Sequence, residues 1–152
     1  METETLERIF REHAFFQEMK ESHLRSIIEN STVERFEPGD VIFREGDPAH
    51  TFYLVRSGKV ALQQVSYRIE PFTVITLSQD DIIGWSWLFP PYRWRLTAKA
   101  LDITRTIAVD GAELRARCDE DHDLGYELMK KFAGIIDHRF DAVSEHLVEV
   151  GR

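Results

Sequence analysis

All three tryptophans of the chain fall in one twelve-residue segment, Gly84 to Arg95, which also holds two arginines. An indole ring stacks on flat or apolar groups, and a guanidinium pairs with phosphate or carboxylate oxygens. The segment therefore predicts one of two outcomes. Either the rings form a wall that receives an anionic or aromatic ligand, or they pack together and fill that space. The residues concerned are Trp85, Trp87, Arg93, Trp94 and Arg95.

No other residues form a catalytic or metal-binding pattern. The six histidines are scattered and include no His-x-x-x-His pair, and the chain has no Gly-x-Ser-x-Gly, P-loop or dinucleotide motif. The acidic run Asp119 to Asp123 is better explained by helix capping, because carboxylates at a helix N-terminus accept unpaired N–H groups. We predict neither an enzyme nor a metal site.

Composition places the chain among ordinary globular proteins. Its 152 residues are 43% hydrophobic, which suits one domain over residues 1–152 with a real core. The net charge of −8 disfavours a nucleic-acid surface. Cys118 is the only cysteine, and no signal peptide or membrane span is evident. We therefore expect a cytoplasmic protein that contacts neither DNA nor membrane.

The periodicity of apolar residues divides the chain into three parts. Helical spacing over residues 1–30 gives way to short β-branched and aromatic runs over 31–109, and helical spacing returns over 110–152. Turn signals separate the strands every seven to twelve residues. The sequence predicts a mainly β fold with flanking helices. Three glycines are assigned to its tight turns: Gly39, Gly46 and Gly58.

The last helix carries two apolar stripes. Leu124, Leu128 and Phe132 are spaced by four residues and are expected to face the β-domain. A second set follows the alternating four-and-three spacing of a helix–helix seam. We interpret this seam as a homodimer interface, with packing inside the chain as the alternative. Its members are Ile136, Phe140, Val143, Leu147 and Val150.

Two segments carry a resemblance to a known family. They run from Phe36 to Pro48 (FEPGDVIFREGDP) and from Phe52 to Val60 (FYLVRSGKV). Both resemble the opening of the cyclic-nucleotide-binding domain family, which includes catabolite activator proteins and regulatory subunits of cyclic-AMP-dependent kinase. The resemblance implies a jelly-roll-like β-roll (a double-stranded β-helix) with N-terminal helices and a long C-terminal helix that often dimerises.

The ligand cassette departs from the family pattern. The family's Phe-Gly-Glu triplet holds the cyclic phosphate on backbone N–H groups, its Glu binds the ribose, and an Arg further on pairs with the phosphate. Here Gly84 matches, but Trp85 replaces the Glu and Trp94 falls at the Arg position. A slip of one residue would place Arg93 or Arg95 there instead. The candidate ligand-binding residues are Gly84, Trp85, Ser86, Trp87, Arg93, Trp94, Arg95 and Thr97.

The resemblance and the departure together predict a stand-alone regulatory or sensor domain. Binding of cyclic AMP or cyclic GMP should be weak or lost, and the signal should pass through the C-terminal dimerisation helix. One alternative is a sensor of another anionic or aromatic ligand held by Arg93 or Arg95 and the tryptophans. Another is a protein-interaction module whose aromatic loop docks a partner. The chain stops at Arg152, where a winged helix-turn-helix would begin, so direct DNA binding is not expected.

Overall fold

The computed structural model describes the backbone of residues 3–66 and 69–150, and the order of elements is helix, strand, helix. The fold class predicted from the sequence is confirmed. The helices are α1 (Thr3–Glu12), α2 (Glu21–Glu29), α3 (Gly111–Glu120) and α4 (His122–Val150). The strands are β1 (Ser31–Phe36), β2 (Val41–Phe43), β3 (Thr51–Ser57), β4 (Val60–Ser66), β5 (Ile69–Leu77), β6 (Ile82–Ile83), β7 (Thr97–Ala100) and β8 (Thr104–Asp110).

The strands form two four-stranded antiparallel sheets. One has the order β1-β8-β3-β6 and the other the order β2-β7-β4-β5. Strands that are neighbours in a sheet are mostly distant in the chain, as a roll requires. The strand β6 is short and ends at Ile83, so the chain leaves the first sheet directly before the tryptophan segment.

Strand β3 shows how the sequence builds two cores at once. Successive side chains of a strand point to opposite faces. Phe52 and Leu54 therefore join the cluster that the helices cover, while Tyr53 and Val55 face the interior of the roll. All four side chains are buried, so β3 has apolar residues at consecutive positions instead of an alternating pattern.

The three turn glycines all adopt positive φ angles, from +90° to +102°. Gly58 also lies where no side chain fits, because a Cβ there would come within 2.5 Å of the carbonyl oxygen of Ile103. Around Gly39 and Gly46 the space is open, so at these two positions only the backbone conformation favours glycine.

Helix α4 packs on the roll through its first stripe. Leu124, Leu128 and Phe132 are all buried in the cluster formed with the other helices. The helix begins after Asp121, whose carboxylate accepts hydrogen bonds from the N–H groups of Asp123 and Leu124 at 3.1 and 3.2 Å. Capping thus accounts for part of the acidic run. Across the described residues, no three His, Cys, Asp or Glu side chains come together as a metal site would require.

None of the helices that the structure describes has both the length and the apolar character needed to span a bilayer.

Candidate ligand-binding site

The segment Gly84 to Arg95 folds as a loop between the two sheets. Gly84 has a φ of +96°, and Ser86–Leu88 forms a single 3-10 turn. The far end of the loop is fixed by two backbone hydrogen bonds. The N–H of Gly46 donates to the carbonyl of Trp94 at 2.8 Å, and the N–H of Trp94 donates to Asp47 at 3.0 Å. One of the predicted turn segments therefore positions the tryptophan segment.

Trp94 lies over Gly84 and is only 6% exposed. Its ring stacks on Phe43, with centroids 3.7 Å apart and an interplanar angle of 10°. A Cβ at Gly84 would come within 2.6 Å of the indole, so glycine is required here for space as well as for its positive φ. The ring of Trp94 therefore covers the glycine that matches the family cassette.

Trp87 has a different environment and is fully buried in the helix-covered core. Its ring is 5.2 Å from that of Phe52 and 5.3 Å from that of Phe132. It also lies against Gly111 at the start of α3, where a Cβ would be 2.9 Å from the indole. Trp87 therefore packs three elements together and does not line the cavity described below.

Trp85, Ser86 and Arg95 line a small cavity of about 70 Å³ between the loop, the roll and α4. Trp85 is half-buried, Ser86 is buried and Arg95 is exposed. The walls are mostly apolar. The residues that line the cavity are Phe43, Leu62, Gly84, Trp85, Ser86, Trp94, Arg95, Leu96 and Arg139.

Arg93 and Arg95 are both exposed and flank the buried Trp94. They line a second hollow of about 170 Å³ with Trp85 and with Ile136 of α4. We call this hollow the outer groove and the cavity of about 70 Å³ the inner cavity. Arg93 is partly engaged, because its Nη1 donates to the carbonyl of Gly46 at 2.9 Å. Of the two arginines, Arg95 alone reaches both hollows.

Thr97 lies outside both hollows. It is buried at the start of β7, where its Oγ1 accepts a hydrogen bond from the N–H of Glu45 at 3.1 Å. This contact joins the strand to the turn that contains Gly46. The structure thus gives Thr97 a part in fixing the loop.

Arg139 of α4 was not among the residues singled out from the sequence. It is only 8% exposed, lines the inner cavity, and places its guanidinium carbon 5.4 Å from the centroid of the Trp85 ring. Its Nη2 donates to the carbonyl of Ile82, whereas Nη1 is buried without a hydrogen-bond partner among the described residues. A signal existed in the sequence, since Arg139 follows Phe132 and Ile135 at the helical spacing of three and four.

Burial affects the pKa of this arginine. Loss of solvent lowers the pKa of Arg139 to about 10, and the nearby carboxylate of Asp81 opposes that shift. The group remains cationic at neutral pH. The site therefore combines an apolar, partly aromatic cavity with a buried positive charge.

The predicted helix seam lies mostly on the surface of α4. Phe140 and Leu147 are 69% and 62% exposed, while Ile136 and Val143 are half-buried. The side chain of Val150 is outside the described residues. The same spacing continues toward the start of the helix through three further residues, all exposed, that sequence reasoning missed: Tyr126, Met129 and Ala133.

A family model described as the cyclic nucleotide-binding domain matches residues 33–121, more than half of the chain. The chain belongs to this family. The resemblance drawn from Phe36–Pro48 and Phe52–Val60 is confirmed. Members are regulatory ligand-binding modules, and two relatives of this chain carry the names of regulators.

Two regulators illustrate these relationships. The anaerobic regulatory protein of Bacillus subtilis is 28% identical over 111 residues, which cover 72% of this chain and 47% of that protein. The global nitrogen regulator of Synechococcus elongatus is 40% identical over 52 residues, covering 34% of this chain and 23% of that protein. This cyclic nucleotide-binding domain thus spans less than half the length of either regulator.

Solved structures agree on the fold. A protein from Geobacter metallireducens described as cyclic nucleotide-binding superimposes with a TM-score of 0.79 at 28% identity, covering 92% of this chain and 98% of that one. The sensor domain of the transcriptional regulator DNR from Pseudomonas aeruginosa gives a TM-score of 0.72 at 18% identity, covering 91% and 93%. The second likeness shows the shared β-roll fold.

Proposed function

We propose that this chain is a cytoplasmic, non-catalytic sensor module in which cyclic AMP and cyclic GMP bind weakly or not at all. We further propose that it acts as one domain and dimerises through α4. The observation that carries the ligand part is the ring of Trp94, which lies over Gly84 and stacks on Phe43.

The energetics of the cassette support weak nucleotide binding. A hydrogen bond to a charged group is worth about 1.5–3 kcal/mol, and about 1.4 kcal/mol changes an affinity tenfold. In the alignment on which we base this proposal, Trp85 and Trp94 stand in place of the two charged residues that the family uses. The inner cavity of about 70 Å³ is also well below the roughly 300–1,000 Å³ typical of pockets for drug-sized ligands.

Titration with cyclic AMP and cyclic GMP tests this proposal. We expect no saturable change in tryptophan fluorescence and no rise in melting temperature at micromolar nucleotide. Trp85 and Trp94 line the cavity, so occupancy would alter their emission. A matched titration with 5′-AMP controls for absorption of light by the base. Saturation at sub-micromolar cyclic nucleotide, accompanied by thermal stabilisation, would contradict the proposal.

The exposed seam supports dimerisation. From Tyr126 to Val150 the spacing of three and four extends over 25 residues, or about 37 Å at about 1.5 Å per residue. Phe140 and Leu147 are large apolar side chains that water would otherwise surround. A second copy of α4, packed side by side, would cover both residues.

Substitution Phe140→Glu should convert the dimer to monomer. A carboxylate in an apolar helix seam loses hydration and faces its own symmetry mate, so we expect the dissociation constant to rise at least a hundredfold. Sedimentation equilibrium measures this change directly. Because Phe140 is 69% exposed, the variant should fold normally.

His138→Glu is the matched control for this experiment. His138 is also exposed on α4, but it lies on the opposite side of the helix from the seam. It should leave the dissociation constant nearly unchanged. A wild-type chain that sediments as a monomer, or equal effects of the two substitutions, would refute the proposed interface.

The burial of the tryptophans disfavours the protein-interaction alternative. Trp87 and Trp94 are 0% and 6% exposed, so an aromatic docking loop would present only Trp85 and its neighbours. The alternative of another anionic ligand is supported by the buried cation at the inner cavity, Arg139.

A further inference from the structure

Arg139 is a buried cation that makes no ion-pair contact among the described residues, although the carboxylate of Asp81 acts on it from a longer distance. Within the described part of the chain, no carboxylate oxygen lies within 4.0 Å of the guanidinium. Buried arginines in proteins are almost always paired, because removing a charge from water is costly. One side of this guanidinium, Nη1, has no partner among the described residues.

The position of Arg139 on α4 makes this burial informative. Leu128, Phe132 and Ile135 precede it on the face that packs against the domain, all of them apolar. An apolar residue at 139 would continue that packing without any desolvation cost. An arginine here carries a desolvation cost, and its side chain lines a cavity. An anion bound in that cavity would offset the cost through charge-assisted hydrogen bonds.

The cavity limits the size and character of that anion. Its volume is about 70 Å³, and its walls include Phe43, Leu62, Trp85 and Leu96, together with the polar residue Ser86. Arg95 lies at the exposed rim. Such a site suits an oxyanion head attached to a short apolar chain, whereas the base and sugar of a nucleotide would extend beyond it.

We propose that Arg139 binds the head group of a small organic anion, a short-chain carboxylate or phosphate monoester, in the cavity beneath Trp85 and Trp94. The inference rests on the proposed sensor function and names its ligand class. The anion would touch both the loop and α4, since Arg139 belongs to α4 and Trp85 and Trp94 to the loop. The ligand would therefore bridge the roll and the proposed dimer helix.

Nuclear magnetic resonance of the indole N–H groups tests this proposal at the level of single residues. The chain has three tryptophans, of which Trp85 and Trp94 line the cavity and Trp87 lies in the separate helix-covered core. Each indole signal is assigned with a Trp→Phe variant. Butyrate and methyl phosphate, titrated at constant ionic strength, distinguish carboxylate from phosphate, and butyramide is the neutral control.

We expect one of the two anions to shift the Trp85 and Trp94 signals saturably while the Trp87 signal stays in place. Butyramide should bind at least tenfold more weakly. Arg139→Met should weaken anion binding at least tenfold. The Trp87 signal should stay at its wild-type position, and the melting temperature of the unliganded variant should equal or exceed that of the wild-type protein. Removal of a buried unpaired charge relieves a desolvation penalty, whereas loss of a merely structural arginine would lower the melting temperature.

Arg95→Met is the matched control, because Arg95 lines the same cavity from an exposed position. We expect it to weaken binding less than Arg139→Met does. If Arg139→Met does not fold, Arg139→Lys keeps the charge and should bind the anion more weakly than wild type but still in preference to butyramide.

Three results would overturn the inference. These are no shift with either anion, equal binding of butyramide, or an anion affinity that depends on Arg95 and not on Arg139. The sensor proposal has separate tests in the cyclic-nucleotide titration and the sedimentation of Phe140→Glu. If the protein dimerises through Phe140 but binds neither butyrate nor methyl phosphate, this inference is refuted and the proposed dimer interface is not.

Discussion

Trp87→Ala is expected to lower the free energy of unfolding by about 3–5 kcal/mol, the range typical of a Trp-to-Ala change in a core. Trp87 is fully buried and touches rings from β3 and α4 as well as Gly111 of α3. Removing the indole leaves a cavity where these elements meet, and the surrounding backbone cannot close it. Urea unfolding followed by circular dichroism measures the loss.

Trp85→Ala provides the matched comparison, because it makes the same chemical change two residues away at a half-buried position. It should cost less than half as much. If the 87 variant does not accumulate in folded form, Trp87→Leu should retain part of the packing and allow the same measurement. Equal losses at positions 85 and 87 would show that Trp87 is not the central packing residue that its burial indicates.

Replacing both cassette tryptophans with the family residues should create binding of cyclic AMP. In Trp85→Glu/Trp94→Arg, the carboxylate can accept the ribose hydroxyl and the guanidinium can pair with the cyclic phosphate. Each charged hydrogen bond is worth about 1.5–3 kcal/mol, so the pair should raise the affinity roughly a hundredfold or more. Loss of the Trp94 ring also uncovers Gly84. Isothermal titration calorimetry measures the gain.

The double variant Trp85→Gln/Trp94→Met separates charge from space. It opens the cavity to a similar extent but supplies no charged group for the phosphate or the ribose. Its affinity for cyclic AMP should therefore increase by no more than a tenth of the factor expected for the charged variant. Both variants lose the stack of Trp94 on Phe43, and their melting temperatures should fall together. A charged variant that is folded and still fails to bind would mean that the tryptophans are not what excludes the nucleotide.

The fold could be predicted from the sequence because its signals are local. Turn glycines with positive φ, short apolar runs between them, and the helical spacing of Leu124, Leu128 and Phe132 each depend on residues close in the chain. Such patterns act through backbone sterics and through the period of a helix or strand. The order of helices and strands followed from these signals, and the family membership followed from the resemblance of Phe36–Pro48 and Phe52–Val60 to known members.

The roles of the three tryptophans were decided by tertiary structure. They are close in sequence and identical in type, yet Trp87 packs in the helix-covered core, Trp94 covers Gly84 and Trp85 lines a cavity. Local pattern could not separate these roles, because each depends on which distant element approaches the ring. Phe132 lies 45 positions after Trp87, and Phe43 lies 51 positions before Trp94.

Arg139 shows the same limit most clearly. By its sequence alone it is one more charged residue on a long helix, and only its spacing after Phe132 and Ile135 indicates an inward direction. Its significance depends on three things that tertiary packing brings together: the carbonyl of Ile82, the ring of Trp85 and a cavity whose described lining includes no carboxylate. Folding removes the Arg139 guanidinium from water. The free-energy cost of that removal depends on the groups that surround it in the folded protein, and these cannot be read from the sequence pattern.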